Sequence, residues 1–383
     1  MAKRRPNGAG SITRRPDGTY EGRVYVTTTE GLRKRVSRYG KTYDEVAEKI
    51  AKLLEQESKG VPTPDKTWKL DAFLAYWLEE IIRTTRRPTT YDKYESMVRL
   101  YLTPKLGKKA ITRLNVKDVR TFLRQLRAEG VGGSTVQECM KVLRNALNAA
   151  MREELLLRNV VTLVGIPSAE SKEVIPWSAA EAIAFLRSAR PHRLYAAFVM
   201  ALVLGLRRGE LLGLRWIDLD LGQGVAHPRK QVQRQKGKGL VLVDLKTKAS
   251  KGALPLPLFC IEALGERRRL IELEKARAGQ QWTDLGLVFG TETGGLYDPD
   301  HFSQCFHRRL KRSGQRRVRL HDTRHTCGSL LAWLGVHPND AQKILRHSNI
   351  QTTLEIYTHV TTETQRAAAA KISAKLRDGM EGR

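Results

Sequence analysis

Residues 194–220 read "LYAAFVMALVLGLRRGELLGLRWIDLD". The stretch opens with a run of 13 apolar residues (194–206) and turns abruptly to two arginines. A helix of that length reaches only about 20 Å, short of the ~30 Å hydrocarbon core of a bilayer. The run therefore predicts a helix of a folded interior, with Arg207 at its end. Downstream, helical spacing alternates with a short β-like stretch, "LVLVDLKTKASKGALPLP" (240–257), so this part of the chain reads as mostly α with a small sheet.

The composition is that of a soluble folded protein, 41% hydrophobic and 28% charged, and 383 residues suffice for two or three domains. Its charge is lopsided: 68 Lys and Arg against 40 Asp and Glu, a formal +28. Such an excess implies a polyanionic partner, most commonly the phosphate backbone of nucleic acid. The opening "MAKRRPNGAG" lacks the apolar core of a secretion signal, so an intracellular, cytoplasmic protein with no membrane contact is expected. Cys139, Cys260, Cys305 and Cys327 are widely spaced with no CxxC pair, which suggests neither a zinc site nor a disulfide framework. No metal and no cofactor are expected.

Two Pro/Gly-containing stretches punctuate the chain, "SKGVPTPDK" (58–66) and "GIPSAESKEVIPW" (165–177). They divide it into expected domains at 1–60, 66–165 and 172–383. The first combines a Pro-Asp-Gly turn, alternation through Tyr20, Arg23, Val24 and Val26, and a helical pattern through Val46, Ile50 and Leu53. A small basic sheet closed by one helix could enter a DNA groove. The second shows four helical patterns, with Asn115 and Ser134 as candidate caps. The expected fold class is multidomain and mainly α with small β-sheets: a β-rich N-terminal domain with one helix, a four-helix domain, and a mostly helical α/β domain. The last ends in an alanine-rich tail helix.

Four stretches of the last domain carry candidate chemistry: "GLRRGELLGLRWIDLD" (205–220), "LKTKASKG" (245–252), "LHDTRHT" (320–326) and "LRHSNIQTTLEIYTHV" (345–360). Singly, each has an ordinary explanation. Arg207 has Glu210 three residues on, lysines near a hairpin are usually solvated, and Ile350, Leu354 and Tyr357 fall along one side of a helix like core residues. Together they supply what phosphodiester transfer without a metal requires. Arginines neutralise phosphate oxygens, histidine adds a donor, lysine protonates a leaving oxygen, and a tyrosine whose pKa is lowered by adjacent cations can be a covalent nucleophile.

The boxes "GLRRGELLGLRW", "LHDTRHT" and "LRHSNIQTTLEIYTHV" closely resemble those of the tyrosine recombinases, specifically phage-type integrases, in order and spacing across 178–360. The resemblance implies that the catalytic set is Arg207, Lys246, His321, Arg324, His347 and the nucleophile Tyr357. Arg208 is the neighbour most easily confused with Arg207, and Lys248 is the alternative to Lys246. It further implies a DNA recombinase that integrates and excises a mobile element such as a phage genome. The reaction passes through a 3′-phosphotyrosyl intermediate, with four protomers on two double-stranded attachment sites and a Holliday junction between exchanges. Residues 68–165 resemble the family's core-type DNA-binding domain and the N-terminal segment its arm-type domain. A DNA-bending host factor and an excision directionality factor are the accessory partners the resemblance suggests, with action at the host nucleoid. The tail helix is expected to pack on a neighbouring protomer.

One residue departs from the pattern. Family members commonly carry glycine before the last-box histidine, where this chain has Arg346; the expectation is that Arg346 lies near a phosphate or faces solvent, with His347 keeping its role. The rival readings are a type IB topoisomerase-like DNA relaxation and a non-catalytic DNA-binding regulator. A metal-dependent transposase would need a carboxylate trio, and the spacing of Asp218, Asp220, Asp244 and Asp322 singles out none.

Overall fold

The Pro-Asp-Gly turn does join two strands in the computed structural model of the chain, which describes residues 10–28, 31–60, 63, 68–165, 175–245 and 252–358, with 370, 372–374 and 377 in the tail. Strands β1 (Ser11–Arg14), β2 (Tyr20–Thr27) and β3 (Arg33–Gly40) form an antiparallel sheet in the order β1-β2-β3. Their register pairs Val24 with Val36 and Tyr25 with Arg35. Alternation along β2 sends Val24 and Val26 inward onto Val46, Ile50 and Leu53 of α1 (Tyr43–Ser58), and leaves Arg23 and Tyr25 outward. Thr42 caps that helix, its side chain accepting from the Glu45 amide.

The chain divides into two compact units, 1–171 and 172–383. Helices α2 (Leu70–Tyr76), α3 (Arg83–Thr85), α4 (Pro88–Met97), α5 (Thr103–Leu106), α6 (Val116–Ala128) and α7 (Gly133–Arg152) complete the first. Their own core is built on Phe73, Trp77, Phe122, Leu143 and Leu147. π-Helical turns at Trp77–Ile82 and Val98–Leu102 interrupt the first two of the four helical stretches. The second has a local cause: Pro104 has no N–H to offer the Leu100 carbonyl, so the preceding turn loosens. Asn115 forms a reciprocal capping box with Asp118, whereas Ser134 is not a cap. Gly132 takes that position for α7 and Ser134 falls inside its first turn.

In the second unit, α8 (Ala179–Ala189) leads to α9 (Tyr195–Val203), the predicted interior helix. Every residue of α9 from Tyr195 to Leu202 is buried, against a cluster that includes Trp177, Phe185, Phe302 and Phe306. Burying a phenylalanine such as Phe198 stabilises by about 1.5–3 kcal/mol, so this cluster anchors the unit. Then follow α10 (Arg208–Leu212), strands β4 (Leu219–Asp220), β5 (Val225–Ala226), β6 (Lys230–Gln235), β7 (Gly239–Asp244) and β8 (Leu254–Pro255), and helices α11 (Leu258–Ala278), α12 (Pro299–Ser313), α13 (Asp322–Trp333), α14 (Pro338–Leu345) and α15 (Ile350–Thr358). Strands β4-β5-β8 make one small antiparallel sheet and β6-β7 a hairpin. Strand β6, "KQVQRQ", carries one apolar residue, Val232, paired with Leu242; it leaves no hydrophobic alternation to read and escaped the sequence reading. The fold is thus mainly helical with small antiparallel sheets. Among the described residues no helix is long and apolar enough to cross a membrane. The expected tail helix falls, apart from the few tail positions named above, outside the described residues.

Candidate active site

The chain leaves α9 through Gly205, whose φ of +58° is left-handed and whose Cα has no room for a Cβ: one would meet Leu345 Cδ2 at 2.7 Å. That turn aims the Gly205 carbonyl at Arg324 Nη1, 2.5 Å away. It also places Arg207 at the N-cap of α10, where its backbone N–H donates to Glu210 Oε2 at 3.2 Å and its Nη1 to Glu210 Oε1 at 2.9 Å. The helix partner and the site residue are therefore the same arginine. Arg208 is directed elsewhere, donating to Asp300, Ser303 and the Pro299 carbonyl on α12.

Arg324 sits in the first turn of α13, buried, and donates to the carbonyls of Gly205 and Leu345 and from Nε to His347 Nε2 at 3.3 Å. Burial, then the charge of Arg207, pushes its pKa down to about 9. A cation so placed gains from any anion that reaches it. His347 is buried as well, its Nδ1 2.9 Å from Thr353 Oγ1. Because Nε2 accepts from Arg324, Nδ1 carries the proton and donates to the threonine. Burial, followed by Arg324 and Arg207, holds this imidazole at about 4, so it is neutral near pH 7. His321 is the N-cap of α13, edge-on to the His325 ring at 5.5 Å, and its pKa is lowered by the packing around it and then by His325 and Arg324.

Tyr357 lies on α15, which packs on α13 and α14 through Cys327, Leu345 and Ile356. Among the residues of α15 whose burial is described, Thr353 and Ile356 are buried, whereas Leu354 is 37% exposed, so the expected Ile350–Leu354–Tyr357 face is not the one turned inward. The bond from Thr353 to His347 gives the reason: the helix turns the hydroxyl inward to hold the imidazole. The Tyr357 hydroxyl donates to the Val336 carbonyl at 2.8 Å. Its pKa is raised, by burial and then by Cys327 and Asp340; the expected lowering by adjacent cations is not present here, because those groups rather than arginines face it.

Of the two surroundings expected for Arg346, exposure to solvent fails. Its φ of 54° and ψ of 46° are left-handed, the C-cap conformation for which glycine is the default, at a cost of about 1 kcal/mol or more for a residue with a side chain. It is 3% exposed, so it does not face solvent, and its Nη2 is paired with Glu210 Oε2. Sequence reasoning thus located the position and missed its partner; Glu210 was read only as an ordinary neighbour of Arg207, and Thr353 and Gly205 were not singled out. Lys246 and Lys248 lie outside the described residues. Three of the four acids weighed as metal ligands are paired with cations, Asp218 with Arg215, Asp244 with Lys230 and Asp322 with Arg319, while Asp220 accepts from the Gln223 amide. Among the described residues no cluster of three or more His, Cys, Asp or Glu could hold a metal.

Residues 178–364 match the family described as "Phage integrase family", and residues 69–127 match "Phage integrase, N-terminal SAM-like domain". A "Tyrosine recombinase XerC-like" protein of Caldanaerobacter subterraneus subsp. tengcongensis is 30% identical, over 84% of this chain and 87% of its own length. An "Integrase" of Saccharopolyspora erythraea is 26% identical over 97% of both chains. Among solved structures, the Tn1549 transposon integrase in complex with transposon right end DNA superposes with a TM-score of 0.68 at 22% identity, over 80% of this chain and 99% of that one. A lambda integrase tetramer bound to a Holliday junction does so with 0.55 at 18%, over 92% and 96%. At those identities the structural likeness is one of fold.

Proposed function

The chain belongs to the phage integrase family of tyrosine recombinases and is a site-specific DNA recombinase, and from that premise we propose that Tyr357 is its nucleophile and that Arg207, Arg324, His321 and His347 hold the scissile phosphate. The observation that carries this reading is the convergence of three separate segments on one network. Arg207 is fixed by Glu210, Arg324 by the carbonyls of Gly205 and Leu345, and His347 by Arg324 and Thr353.

The two guanidinium groups neutralise the non-bridging oxygens, His321 adds a donor, His347 holds Arg324 through its Nε, and Tyr357 Oη, giving up its proton to water, forms the bond to phosphorus as the bond to the 5′ oxygen breaks. Lys246, or Lys248 in its place, delivers the proton to that leaving oxygen. The 3′-phosphotyrosyl link keeps the bond energy, and the 5′ hydroxyl of a partner strand reverses the step. For the attack, Tyr357 must exchange the Val336 carbonyl for the phosphate.

We extend the reading to the rest of the chain. Residues 66–165 grip core-type DNA, and residues 1–60 read arm-type sites through the outward face of the sheet that carries Arg23, Tyr25, Arg33 and Arg35. That sheet favours an integrase over a topoisomerase, which has no second site to read. Four protomers assemble on two attachment sites, the tail helix packing on a neighbour. A bending host factor and a directionality factor assist, and the reaction takes place at the nucleoid in the host cytoplasm.

The test is incubation of the chain with nicked duplexes spanning the ends of the element that carries its gene, followed by SDS electrophoresis. A covalent adduct that disappears in Tyr357→Phe supports the reading; no adduct with any such DNA overturns it.

A further inference from the structure

Arg346 is one of only two non-glycine residues with positive φ among the described residues, the other being Glu154. A long charged side chain is an unfavourable choice at such a cap, where glycine would be unstrained. What its guanidinium does is visible in its contacts. Nη2 pairs with Glu210 Oε2, and the two side chains are 1% and 3% exposed. Glu210 Oε2 also receives the Arg207 backbone N–H, while Oε1 receives Arg207 Nη1. The loop closes from the other side, Arg207 Nη2 lying 3.4 Å from the Arg346 carbonyl.

A carboxylate and a guanidinium left to themselves favour a two-pronged fork. With Oε2 shared between Arg346 and the Arg207 backbone, the guanidinium of Arg207 meets Glu210 through Nη1 on Oε1. Arg346 also adds charge. Arg207, Arg324 and Arg346 are gathered around Glu210, and the His347 beside them is neutral. Cations in that proportion, two of them buried, are fully compensated only when an anion completes the cluster, and best when it carries most charge. A phosphodiester brings one negative charge, and the five-coordinate arrangement at phosphorus brings more.

The geometry points to Arg346 as a positioning residue for phosphoryl transfer: it occupies Glu210 Oε2, so that the Arg207 guanidinium meets Glu210 through Oε1 and is turned to the scissile phosphate, and it supplies a further buried positive charge to the developing phosphorane. The inference rests on the reading that Arg207 and Arg324 bind that phosphate. It assigns a role to a residue whose left-handed backbone would suit glycine, and predicts that glycine there impairs the chain.

The experiment is single-turnover adduct formation by the full chain on the nicked element-end duplexes, with parent, Arg346→Gly and Arg346→Lys. The scissile position carries either an ordinary phosphate or a methylphosphonate, in which a methyl group replaces one charged oxygen. Glycine suits the left-handed backbone, so Arg346→Gly should fold. On ordinary phosphate it should be slower by about tenfold, less than the ~10²–10³ of a direct oxyanion donor. Arg346→Lys should recover most of that loss, and on the neutral methylphosphonate the gap between parent and Arg346→Gly should close to about threefold or less, because less charge has to be matched. An Arg346→Gly chain as fast as the parent, or slowed equally on both substrates, overturns the inference while the parent's adduct still upholds the nucleophile. A parent that forms no adduct on either DNA overturns the Tyr357 reading itself, and this inference with it.

Discussion

The hydroxyl of Tyr357 donates to the main-chain carbonyl of Val336, in the turn between α13 and α14, at 2.8 Å. A tyrosine hydroxyl held on a carbonyl keeps its proton, in line with the raised pKa. Tyr357→Phe removes that one bond from a half-buried ring and leaves its apolar contacts, so unfolding free energy should fall by about 1 kcal/mol. Urea unfolding of parent and variant measures this. A loss beyond about 3 kcal/mol would assign the residue to the core instead.

Gly205→Ala tests the turn that aims the Gly205 carbonyl at Arg324. The added Cβ is strained by φ of +58° and collides with Leu345 Cδ2 at 2.7 Å. Stability should drop by about 1–3 kcal/mol, read by denaturant titration. Adduct formation should fall further than the folded fraction does, since the carbonyl under Arg324 moves with the turn. Equal losses in the two assays would mean that the turn only supports the fold.

Acid should destabilise the chain through its histidines. His347 and His192 are each held at about 4 in the fold, chiefly by burial, against an ordinary 6.5. Between those values the unfolded chain binds protons that the folded chain refuses. Stability therefore rises with pH across this window, is complete above about 6.5, and is lost as pH falls toward 4. Melting temperatures at pH 5 and pH 7 should show the loss, and His192→Asn should reduce it. A melting temperature that is the same at both values would contradict the burial of these rings.

Arg33 and Arg35 lie about the ring of exposed Tyr25, their guanidinium carbons 5.8 and 5.9 Å from its centroid. If this face meets DNA phosphates, replacing both arginines by alanine should lower the magnitude of the log-affinity against log-salt slope by about 2. Filter binding over a salt series on arm-type DNA provides the measurement. An unchanged slope would place the DNA contact on another surface.

Much of this protein is legible in its residues because the signals are local. Thirteen apolar residues ahead of Arg207 specify an interior helix, but not its end: it stops at Val203, before the Gly205 turn. The Pro-Asp-Gly turn and the alternation after it specify a hairpin, since side chains on a strand must alternate. Asn115 with Asp118 marks a helix start by hydrogen bonds made within four residues. Strand β6 was missed because its polar sequence owes its conformation to the partner strand, with Val232 opposite Leu242.

The candidate site divides the same way. The resemblance of the three boxes to tyrosine recombinases picked out Arg207, His321, Arg324, His347 and Tyr357 as candidates for phosphoryl transfer. Which of two adjacent arginines faces the site was decided by the tertiary structure, through Glu210 for Arg207 and Asp300 for Arg208. So was the buried pairing of Arg346 with Glu210, 136 positions away in the chain. Sequence determines what each side chain can do, because that chemistry is intrinsic to the residue. Its partner is set by packing between distant segments, and the pKa, the strain and the direction of the side chain all follow from the partner.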